Sequence, residues 1–222
     1  MIATTALLGF KNASRYDAVR PAYPPATHEH VLSALVDSLR IFGWNLRVIE
    51  LGAGTGLFTR PFLEQTAKTN SHVGGSNAPS SSSSSSGNDN SNNIYTAIEP
   101  HASMRQILKD KLPSAIAQPN LFRHCVVDEG SSEHMPTVAT NTATAMIATQ
   151  AFHWMANPKT ILELHRVLRP QAPVMLVWNT LRTDVPWQRR LEGALFPFMW
   201  DQHPLSSSLQ CPRCRGDNHA WI

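Results

Sequence analysis

The sequence predicts an α/β protein with a doubly wound, mostly parallel sheet. Short β-branched or apolar runs alternate along the chain with longer segments in which apolar residues recur at helical spacing. A glycine-rich turn joins the first of these runs to the segment that follows it. With 222 residues, 42% of them hydrophobic, the chain can bury one sizeable core, so we expect one domain rather than two.

The helices are predicted from the spacing of their apolar side chains. They cover residues 28–40, 57–64, 101–111, 158–168 and 187–199. Gly43 ends the first of them, and Asn157 is the predicted N-cap of the fourth, with Pro158 in its first turn. Arg169-Pro170 ends that fourth helix, because proline cannot continue it.

Five strands are predicted from short β-branched or apolar runs, over residues 47–51, 94–98, 122–127, 143–149 and 173–178. Because these strands alternate with helices, we expect right-handed crossovers and a parallel sheet. In such a sheet, ligands bind at the carboxyl ends of the strands, near the point where the strand order reverses. The functional residues should therefore lie in the loops that follow strands.

A segment rich in serine, asparagine and glycine interrupts this pattern between residues 67 and 93, and it includes consecutive serines from Ser80 to Ser86. It has too few apolar residues to offset the entropy of ordering, so we predict a disordered surface insertion. The residues before it hold only one strand with its helices, too little for a separate core. We predict one domain over residues 1–180, with 181–222 as a partial or irregular C-terminal segment.

Composition and charge argue against several classes of protein. The net charge of +3 is scattered along the chain, so it predicts no nucleic-acid partner, and it gives no indication of oligomeric state. The odd number of cysteines, three, argues against a disulfide framework and favours a reducing compartment such as the cytoplasm. The apolar segment Met1 to Phe10 lacks the flanks of a signal peptide, and no apolar run is long enough to cross a membrane.

The glycine turn and the end of the second strand form a candidate nucleotide site. Gly52, Gly54 and Gly56 let a ligand approach the backbone, and the Glu99 carboxylate can accept hydrogen bonds from both hydroxyls of a ribose. Gly52 and Glu99 are 47 positions apart, against the usual separation of about 20, and the serine-rich insertion accounts for the excess. A nicotinamide dinucleotide favours Gly-x-Gly-x-x-Gly, whereas the third glycine here comes one position early.

At these residues the sequence resembles the class I S-adenosylmethionine-dependent methyltransferases, of methyltransferase type 11 and its trans-aconitate methyltransferase-like branch. The resemblance implies a Rossmann-like fold and extends from about residue 16 to residue 179. It rests on six blocks in the expected order: Tyr16–Pro24, Val48–Gly56, Glu99-Pro100, Gly130–Pro136, Gln150–Trp154 and Glu163–Pro170.

The resemblance implies S-adenosylmethionine as cofactor and a small-molecule substrate. It implies that Glu50 and the glycine loop hold the methionine end of the cofactor and that Glu99 holds the ribose. The backbone around Ser131 and Ser132 would frame the adenine. The segment from Gln150 to Trp154 would line the cavity for cofactor and acceptor.

Methyl transfer needs the donor and the acceptor at close range and in line, more than it needs dedicated catalytic side chains. For a hydroxyl or amine acceptor, His153 has the titration range of a general base, but it is equally compatible with a packed or capping histidine. For a carboxylate acceptor no base is needed, and Arg20 could clamp it, unless Arg20 is only an exposed residue in an extended segment. Tyr23 and Trp154 are further substrate candidates, with a core aromatic as the alternative for Trp154.

The sequence departs from the family in three places. Gln171-Ala-Pro173 stands where the family has glycines, although glutamine and alanine tolerate positive φ poorly. Thr144 stands where members tend to begin the fourth strand with an acid. The two closing strands are not found after Asn179, so we expect a truncated domain that lacks part of the acceptor pocket.

These features leave one alternative function and one candidate metal site to consider. A truncated domain of this kind predicts a non-catalytic protein that binds the cofactor or a partner, as an alternative to methyl transfer to a small polar metabolite such as a carboxylic acid. The spacing of Cys211 and Cys214 is compatible with a structural zinc site, which needs four ligands. The only other candidate ligands near them in the sequence are His203 and His219, and we predict no metal site.

Overall fold

A computed structural model describes residues 13–43, 45–73, 92–115, 121–180 and 184–200. The chain divides into a larger unit, residues 1–178, and a smaller one, residues 179–222. In the smaller unit the described residues include one helix, Pro186–Trp200. Within the described ranges, no helix has both the length and the apolar character needed to span a bilayer.

A short helix that was not predicted, Ala13–Val19, comes first, and from there onward the larger unit has its strands and helices in the predicted order. The helices are α1 (Ala13–Val19), α2 (Pro25–Phe42), α3 (Thr59–Val73), α4 (Ala102–Ala115) and α5 (Pro158–Val167), and the helix of the smaller unit is α6. The strands are β1 (Arg47–Leu51), β2 (Ile94–Ile98), β3 (His124–Asp128), β4 (Ala145–Thr149) and β5 (Val174–Val177).

The five strands form one sheet in the order β3-β2-β1-β4-β5, and every neighbouring pair is parallel. The predicted α/β fold with a parallel, doubly wound sheet is confirmed. The chain moves outward from β1 through β2 to β3 and then returns to place β4 on the other side of β1. The order therefore reverses between β1 and β4, and the crevice at their carboxyl ends is where a parallel sheet of this kind binds ligands.

In the middle of the sheet, β1 and β4 are buried on both faces, as parallel sheets require, whereas the outer strands β3 and β5 are partly exposed. On one face, aromatic and aliphatic side chains of α2, α3 and α4 pack on the sheet, among them Leu35, Phe62 and Leu108. On the other face, Leu164 and Val167 of α5 lie in a second apolar cluster. Side chains alternate between the faces along β1, and this alternation places one polar residue of that strand inside the first cluster, as described below.

The boundaries of α3 differ from the prediction. The pattern predicted a helix over residues 57–64 and an insertion from residue 67, whereas α3 continues to Val73. A helix that is already nucleated adds residues at little cost, so its polar last turns do not need apolar contacts of their own. The serine run and the rest of residues 74–91 lie outside the described residues, and their predicted disorder stays a prediction.

The chain re-enters the fold through Asn93, which is fully buried. Its side-chain Oδ1 accepts a hydrogen bond from the Leu46 N–H at 2.8 Å, and its Nδ2 donates to the Leu121 carbonyl at 2.9 Å. These contacts join the segments that enter β1, β2 and β3. The insertion therefore connects to the amino ends of the strands, at the edge of the sheet opposite the ligand crevice.

We expect that replacing residues 74–91 with a Gly-Ser linker of about half the length leaves the fold intact. If this segment is disordered as predicted, halving its length reduces the entropic cost of closing the loop, so the free energy of unfolding should rise by about 0.6 kcal/mol. Asn93→Ala should instead lower it by about 2–3 kcal/mol, because it leaves the buried Leu46 N–H without an acceptor. Urea denaturation measures both, and a large loss of stability in the linker variant would contradict this assignment of the insertion.

The turn between α5 and β5 contains a glutamine in a left-handed conformation, with φ of 71° at Gln171. This is the position at which the sequence departed from the glycines of the family it resembles. A residue with a Cβ costs roughly 1–2 kcal/mol there relative to glycine, partly offset by the entropy that glycine loses on folding.

Gln171→Gly should therefore stabilise the protein by about 0.5–1 kcal/mol, measured as a shift in the thermal or urea midpoint. The matched control is Ala172→Gly, next in the chain and not at positive φ. That change should destabilise by a similar amount, because only the entropic cost of glycine operates there. Equal effects of the two substitutions would show that the backbone of this turn is not strained.

The second departure from the family, a threonine in place of an acid at the start of the fourth strand, has a local explanation. Thr144, just before β4, accepts a hydrogen bond from the Arg47 N–H through its Oγ1 at 2.9 Å, and its own N–H donates to the Arg47 carbonyl at 2.8 Å. The hydroxyl thus provides an acceptor for the first backbone amide of β1.

No strand follows β5 within the described parts of residues 178–200, and the predicted truncation stays a prediction.

Candidate functional site

The glycine loop follows β1 and turns sharply, with φ of 67° at Gly52, 59° at Gly54 and 83° at Gly56. Two of these glycines are required by packing: a Cβ on Gly52 would lie 2.8 Å from the Ala151 Cβ, and one on Gly56 would lie 2.5 Å from the Leu108 Cδ1. Gly54 is different, because a Cβ there would meet no atom within 4 Å. The open space beside Gly54 is where a ligand could approach the backbone.

Glu99, directly after β2, lies against this loop. Its Oε2 accepts a hydrogen bond from the Gly54 N–H at 2.8 Å, and its Oε1 accepts one from the His101 N–H at 2.8 Å. Its side chain is only 5% exposed, and burial raises the pKa of its carboxyl, against the lowering effect of these two backbone donors. The structure therefore brings the glycine loop and Glu99 together, as the sequence predicted, despite the insertion between them.

Arg105 on α4 holds the loop that carries Glu99. Its guanidinium donates to the carbonyls of Glu99 and Pro100 at 2.8 and 2.9 Å and to the Glu129 carboxylate at 2.7 Å. It thereby ties the chain after β2 to the chain after β3. Arg105 thereby fixes the backbone that carries the Glu99 side chain.

Glu50 is fully buried on β1, and its carboxylate faces the first apolar cluster. The Thr59 hydroxyl donates to its Oε2 at 2.6 Å and the Tyr95 hydroxyl donates to the same oxygen at 2.8 Å. Its Oε1 is buried and has no hydrogen-bond partner among the described residues. Burial raises the pKa of Glu50 to about 7, against the lowering effect of the Thr59 and Tyr95 hydrogen bonds.

The segment after β3 contains the two serines of the predicted adenine site. The Ser131 N–H donates to the His134 carbonyl at 3.0 Å, and the Ser132 hydroxyl lies 2.8 Å from the Thr160 hydroxyl on α5. The Ser132 side chain is thus engaged within the protein, and the contact of this backbone with an adenine stays a prediction.

An ion pair on α5 anchors this segment. Glu163 accepts from the Met135 N–H at 2.7 Å and from two nitrogens of Arg166 at 2.7 and 2.8 Å. Arg166 in turn donates to the carbonyls of Met135 and Val138 at 3.1 and 3.0 Å. The hydrogen bond from Arg166 lowers the pKa of Glu163, so the carboxylate stays ionised.

The chain after β4 begins with Gln150, which has φ of 51° and whose N–H donates to the Val177 carbonyl at 2.8 Å. A left-handed conformation is unusual for glutamine and is found at sites where function constrains the backbone. A short 3₁₀ turn, Phe152–Trp154, follows. Trp154 is 41% exposed, so the alternative of a core aromatic does not apply to it.

His153 in this turn is half-buried and contacts Trp178 just after β5. The Trp178 Nε1–H donates to the His153 Nδ1 at 3.3 Å. Because the indole nitrogen can only donate, the Nδ1 of His153 must be the unprotonated nitrogen, and the neutral ring then carries its proton on Nε2.

The two substrate candidates before α2 lie in different environments. The Tyr23 ring meets the Phe58 ring edge-on at a centroid distance of 5.5 Å and packs on the first apolar cluster. Arg20 is exposed, one position after the end of α1. Their predicted contact with a substrate stays a prediction. The cysteines and histidines considered for zinc, Cys211, Cys214, His203 and His219, lie outside the described residues.

Sequence reasoning missed three residues beside the glycine loop. The Thr55 hydroxyl donates to the Asp17 Oδ1 at 2.7 Å, and the Lys111 ammonium donates to the Asp17 Oδ2 at 2.7 Å. Asp17 lies within the first block of the resemblance, but nothing in its spacing indicates Thr55 or Lys111 as partners. Their convergence depends on how α1 and α4 are placed.

Comparison with known proteins gives concordant findings. A family model described as a methyltransferase domain matches residues 74–176, a range that begins after the glycine loop. An uncharacterized methyltransferase-like protein of Schizosaccharomyces pombe is 26% identical over 181 residues, which cover 81% of this chain and 54% of that protein. An uncharacterized methyltransferase of Mycobacterium bovis is 29% identical over 176 residues, covering 79% of this chain and 54% of that protein. The chain thus spans about half the length of these curated relatives.

One solved structure supports the same fold. A putative S-adenosyl-L-methionine-dependent methyltransferase from Methanococcus maripaludis superposes with a TM-score of 0.51 over 92% of this chain and 81% of that chain. The sequence identity is 12%, so this likeness is evidence for the fold alone.

Proposed function

We propose that this chain, which carries the fold and the sequence pattern of a class I methyltransferase domain, binds S-adenosylmethionine and transfers its methyl group to a small polar metabolite. The observation that carries the proposal is the hydrogen bond between the Gly54 N–H and Glu99, beside open space at Gly54. The trans-aconitate-like branch remains part of the proposal, as does an acceptor that is a carboxylic acid.

The residues present fit this cofactor. Each oxygen of the Glu99 carboxylate accepts one backbone hydrogen bond and keeps a second acceptor site, enough for the two hydroxyls of a ribose. The buried Oε1 of Glu50 offers a further acceptor, suited to the ammonium group of the methionine end. The backbone of Ser131 and Ser132 and the turn from Gln150 supply the remaining proposed contacts.

When bound, S-adenosylmethionine supplies an electrophilic methyl group on a sulfonium sulfur. The residues of this chain then have to hold an acceptor in line with that methyl group and exclude water. Transfer to a carboxylate forms an oxygen–carbon bond and breaks the sulfur–carbon bond, leaving an ester and neutral S-adenosylhomocysteine, with no proton to remove. For that acceptor the site needs hydrogen-bond donors, and Arg20 is the proposed clamp.

The state of His153 supports a carboxylate acceptor over a hydroxyl or an amine. With its Nδ1 engaged by Trp178, the neutral ring carries its proton on Nε2 and is a donor at that nitrogen. A general base needs a free lone pair directed at the acceptor, which this arrangement does not provide. The Trp154 indole in the same turn, which is 41% exposed, is a donor that suits an anionic acceptor.

Calorimetry with S-adenosylhomocysteine, followed by transfer of a labelled methyl group to a panel of acids, alcohols and amines, tests the proposal. A methyl ester releases volatile methanol in alkali, whereas methyl ethers and methylamines do not, so the product identifies the acceptor class. Base-stable product alone would exclude a carboxylate, and binding without transfer to any acceptor would favour the non-catalytic alternative. Heat protection by a nicotinamide cofactor in place of S-adenosylmethionine would indicate an oxidoreductase.

We infer no nucleic-acid or membrane partner, because the net charge of +3 is scattered along the sequence and the cofactor site requires neither. A cytoplasmic location is also part of the proposal.

Cys125, the cysteine within the described residues, is a free thiol. Burial raises its pKa to about 12, so it is unreactive as a nucleophile.

A further inference from the structure

Thr55, between the second and third glycines of the loop, is held from two sides by groups that lie far away in sequence. Its hydroxyl donates to the Asp17 carboxylate on α1 at 2.7 Å. Lys111 on α4 donates to the other oxygen of Asp17 at 2.7 Å and lies 3.4 Å from the Thr55 carbonyl oxygen. Thr55 is 1% exposed, so these contacts are partly shielded from water.

The charges at this point are matched. Burial by itself would raise the pKa of Asp17, but hydrogen bonds from Lys111 and Thr55 and the attraction of Lys111 and Arg60 outweigh it, so the pKa is lowered. Asp17 is therefore an anion at neutral pH, and it serves as acceptor for both the hydroxyl and the ammonium group. Hydrogen bonds to an ionised acceptor are shorter and stronger than neutral ones.

A loop with three glycines has wide conformational freedom, and fixing it in one shape costs entropy that is subtracted from the affinity for a ligand. Two acidic side chains hold this loop before any ligand binds, in addition to the backbone hydrogen bonds from Gly52 and Ala53 to the Ile98 carbonyl. Glu99 fixes the Gly54 N–H, and Asp17 fixes the adjacent Thr55 through its side chain. Glu99 is itself a proposed ligand of the ribose, whereas Asp17 bonds only to protein groups in the contacts described here.

We propose that Asp17 is a positioning residue, which with Lys111 latches α1 onto the glycine loop through Thr55 and so preorganises the loop for the cofactor. This inference rests on the proposed function, since it assigns Asp17 a part in binding S-adenosylmethionine. The latch also fixes the end of α1, one position before Arg20, so that the proposed acceptor clamp is set relative to the cofactor loop.

The test uses the full chain and measures the Kd for S-adenosylhomocysteine by calorimetry. Asp17→Ala and Thr55→Val should each weaken binding about tenfold, and the double variant should be no weaker than either alone, because both remove one contact. Thr55→Ser keeps the hydroxyl and should recover most of the affinity that Thr55→Val loses. Asp37→Ala, which removes the exposed ion pair with Arg40, is the matched control and should leave the Kd unchanged.

Hydrogen exchange of the ligand-free protein separates positioning from general loss of structure. Asp17→Ala should speed exchange in peptides that cover residues 52–58 and leave β4 unchanged. Parental affinity in Asp17→Ala and Thr55→Val, or additive losses in the double variant, would overturn the latch while leaving the proposed function intact. If the parent itself fails to bind S-adenosylhomocysteine, the proposed function falls, and unchanged loop exchange in Asp17→Ala would then reject the latch separately.

Discussion

Glu99→Ala is expected to weaken the binding of S-adenosylhomocysteine by at least about 100-fold, measured by calorimetry at neutral pH. Two ribose hydroxyls would lose a charged acceptor, and each such hydrogen bond is worth about 1.5–3 kcal/mol. The Gly54 and His101 amides also lose their partner, so the glycine loop is no longer held in the shape that the ligand needs. Both effects act in the same direction.

Glu99→Gln should be nearly as harmful as alanine. Both carboxylate oxygens accept from a backbone N–H. In glutamine an NH₂ group replaces one of these oxygens, so one backbone N–H would face another donor and lose its acceptor. Glu129→Ala is the matched control, because Glu129 lies after the neighbouring strand, is largely exposed and contacts the same Arg105. It should change the Kd by less than about twofold. Binding by Glu99→Ala within a few-fold of the parent would remove Glu99 from the proposed site.

The affinity for S-adenosylhomocysteine is expected to fall as the pH drops below about 7, because protonated Glu50 cannot pair with an ammonium group. The pKa of Glu50 is raised to about 7 by burial, and its Oε1 has no partner among the described residues. A bound ammonium would stabilise the carboxylate, so binding releases a proton at lower pH. The Kd should then rise by up to tenfold for each pH unit below this pKa.

Glu50→Gln is expected to remove this pH dependence and to weaken binding at pH 8 by about tenfold or more. The same substitution should stabilise the ligand-free protein at pH 8. The pKa of Glu50 is about 7 in the folded protein and 4.5 ordinarily. The free energy of unfolding therefore falls as the pH rises through that window, by roughly 3 kcal/mol for a fully buried group. Glutamine keeps a carbonyl acceptor for the Thr59 and Tyr95 hydroxyls and cannot ionise.

Urea denaturation at pH 5 and pH 8 measures the effect of Glu50 on the stability of the ligand-free protein. The stability of the parent should be lower at pH 8 by an amount that Glu50→Gln largely abolishes. Glu64→Gln is a suitable control, since Glu64 is exposed on α3 in a pair with Arg60. If Glu50→Gln bound the ligand with the pH profile of the parent, another group would have to account for the methionine end.

Much of the fold could be predicted because its signals are local. β1 and β2 were predicted with the bounds that the structure has, since a short β-branched run ending in a turn has few alternatives. Asn157 is the N-cap of α5 as predicted, with its side chain accepting from the Lys159 and Thr160 amides, because an asparagine before proline satisfies donors of the first turn. α3 was predicted too short, since its later turns lack an apolar stripe.

The meeting of the glycine loop with Glu99 could also be predicted, because it follows from topology. Consecutive parallel strands joined by a right-handed crossover bring their carboxyl ends to one edge, however long the connection. The insertion joins the opposite edge, at Asn93, and so leaves that geometry unchanged. This is why a spacing of 47 residues could be corrected without coordinates.

The sequence by itself determined the alternation of strands and helices, the glycine loop and the acid beside it, because these depend on local propensity and on the handedness of crossovers. Only the tertiary structure decided which distant side chains meet: Asp17 with Thr55 and Lys111, and Trp178 with His153. Such contacts depend on the angle and rotation at which helices and turns pack on the sheet. Those are set by the whole interlocking core, so no short stretch of sequence encodes them.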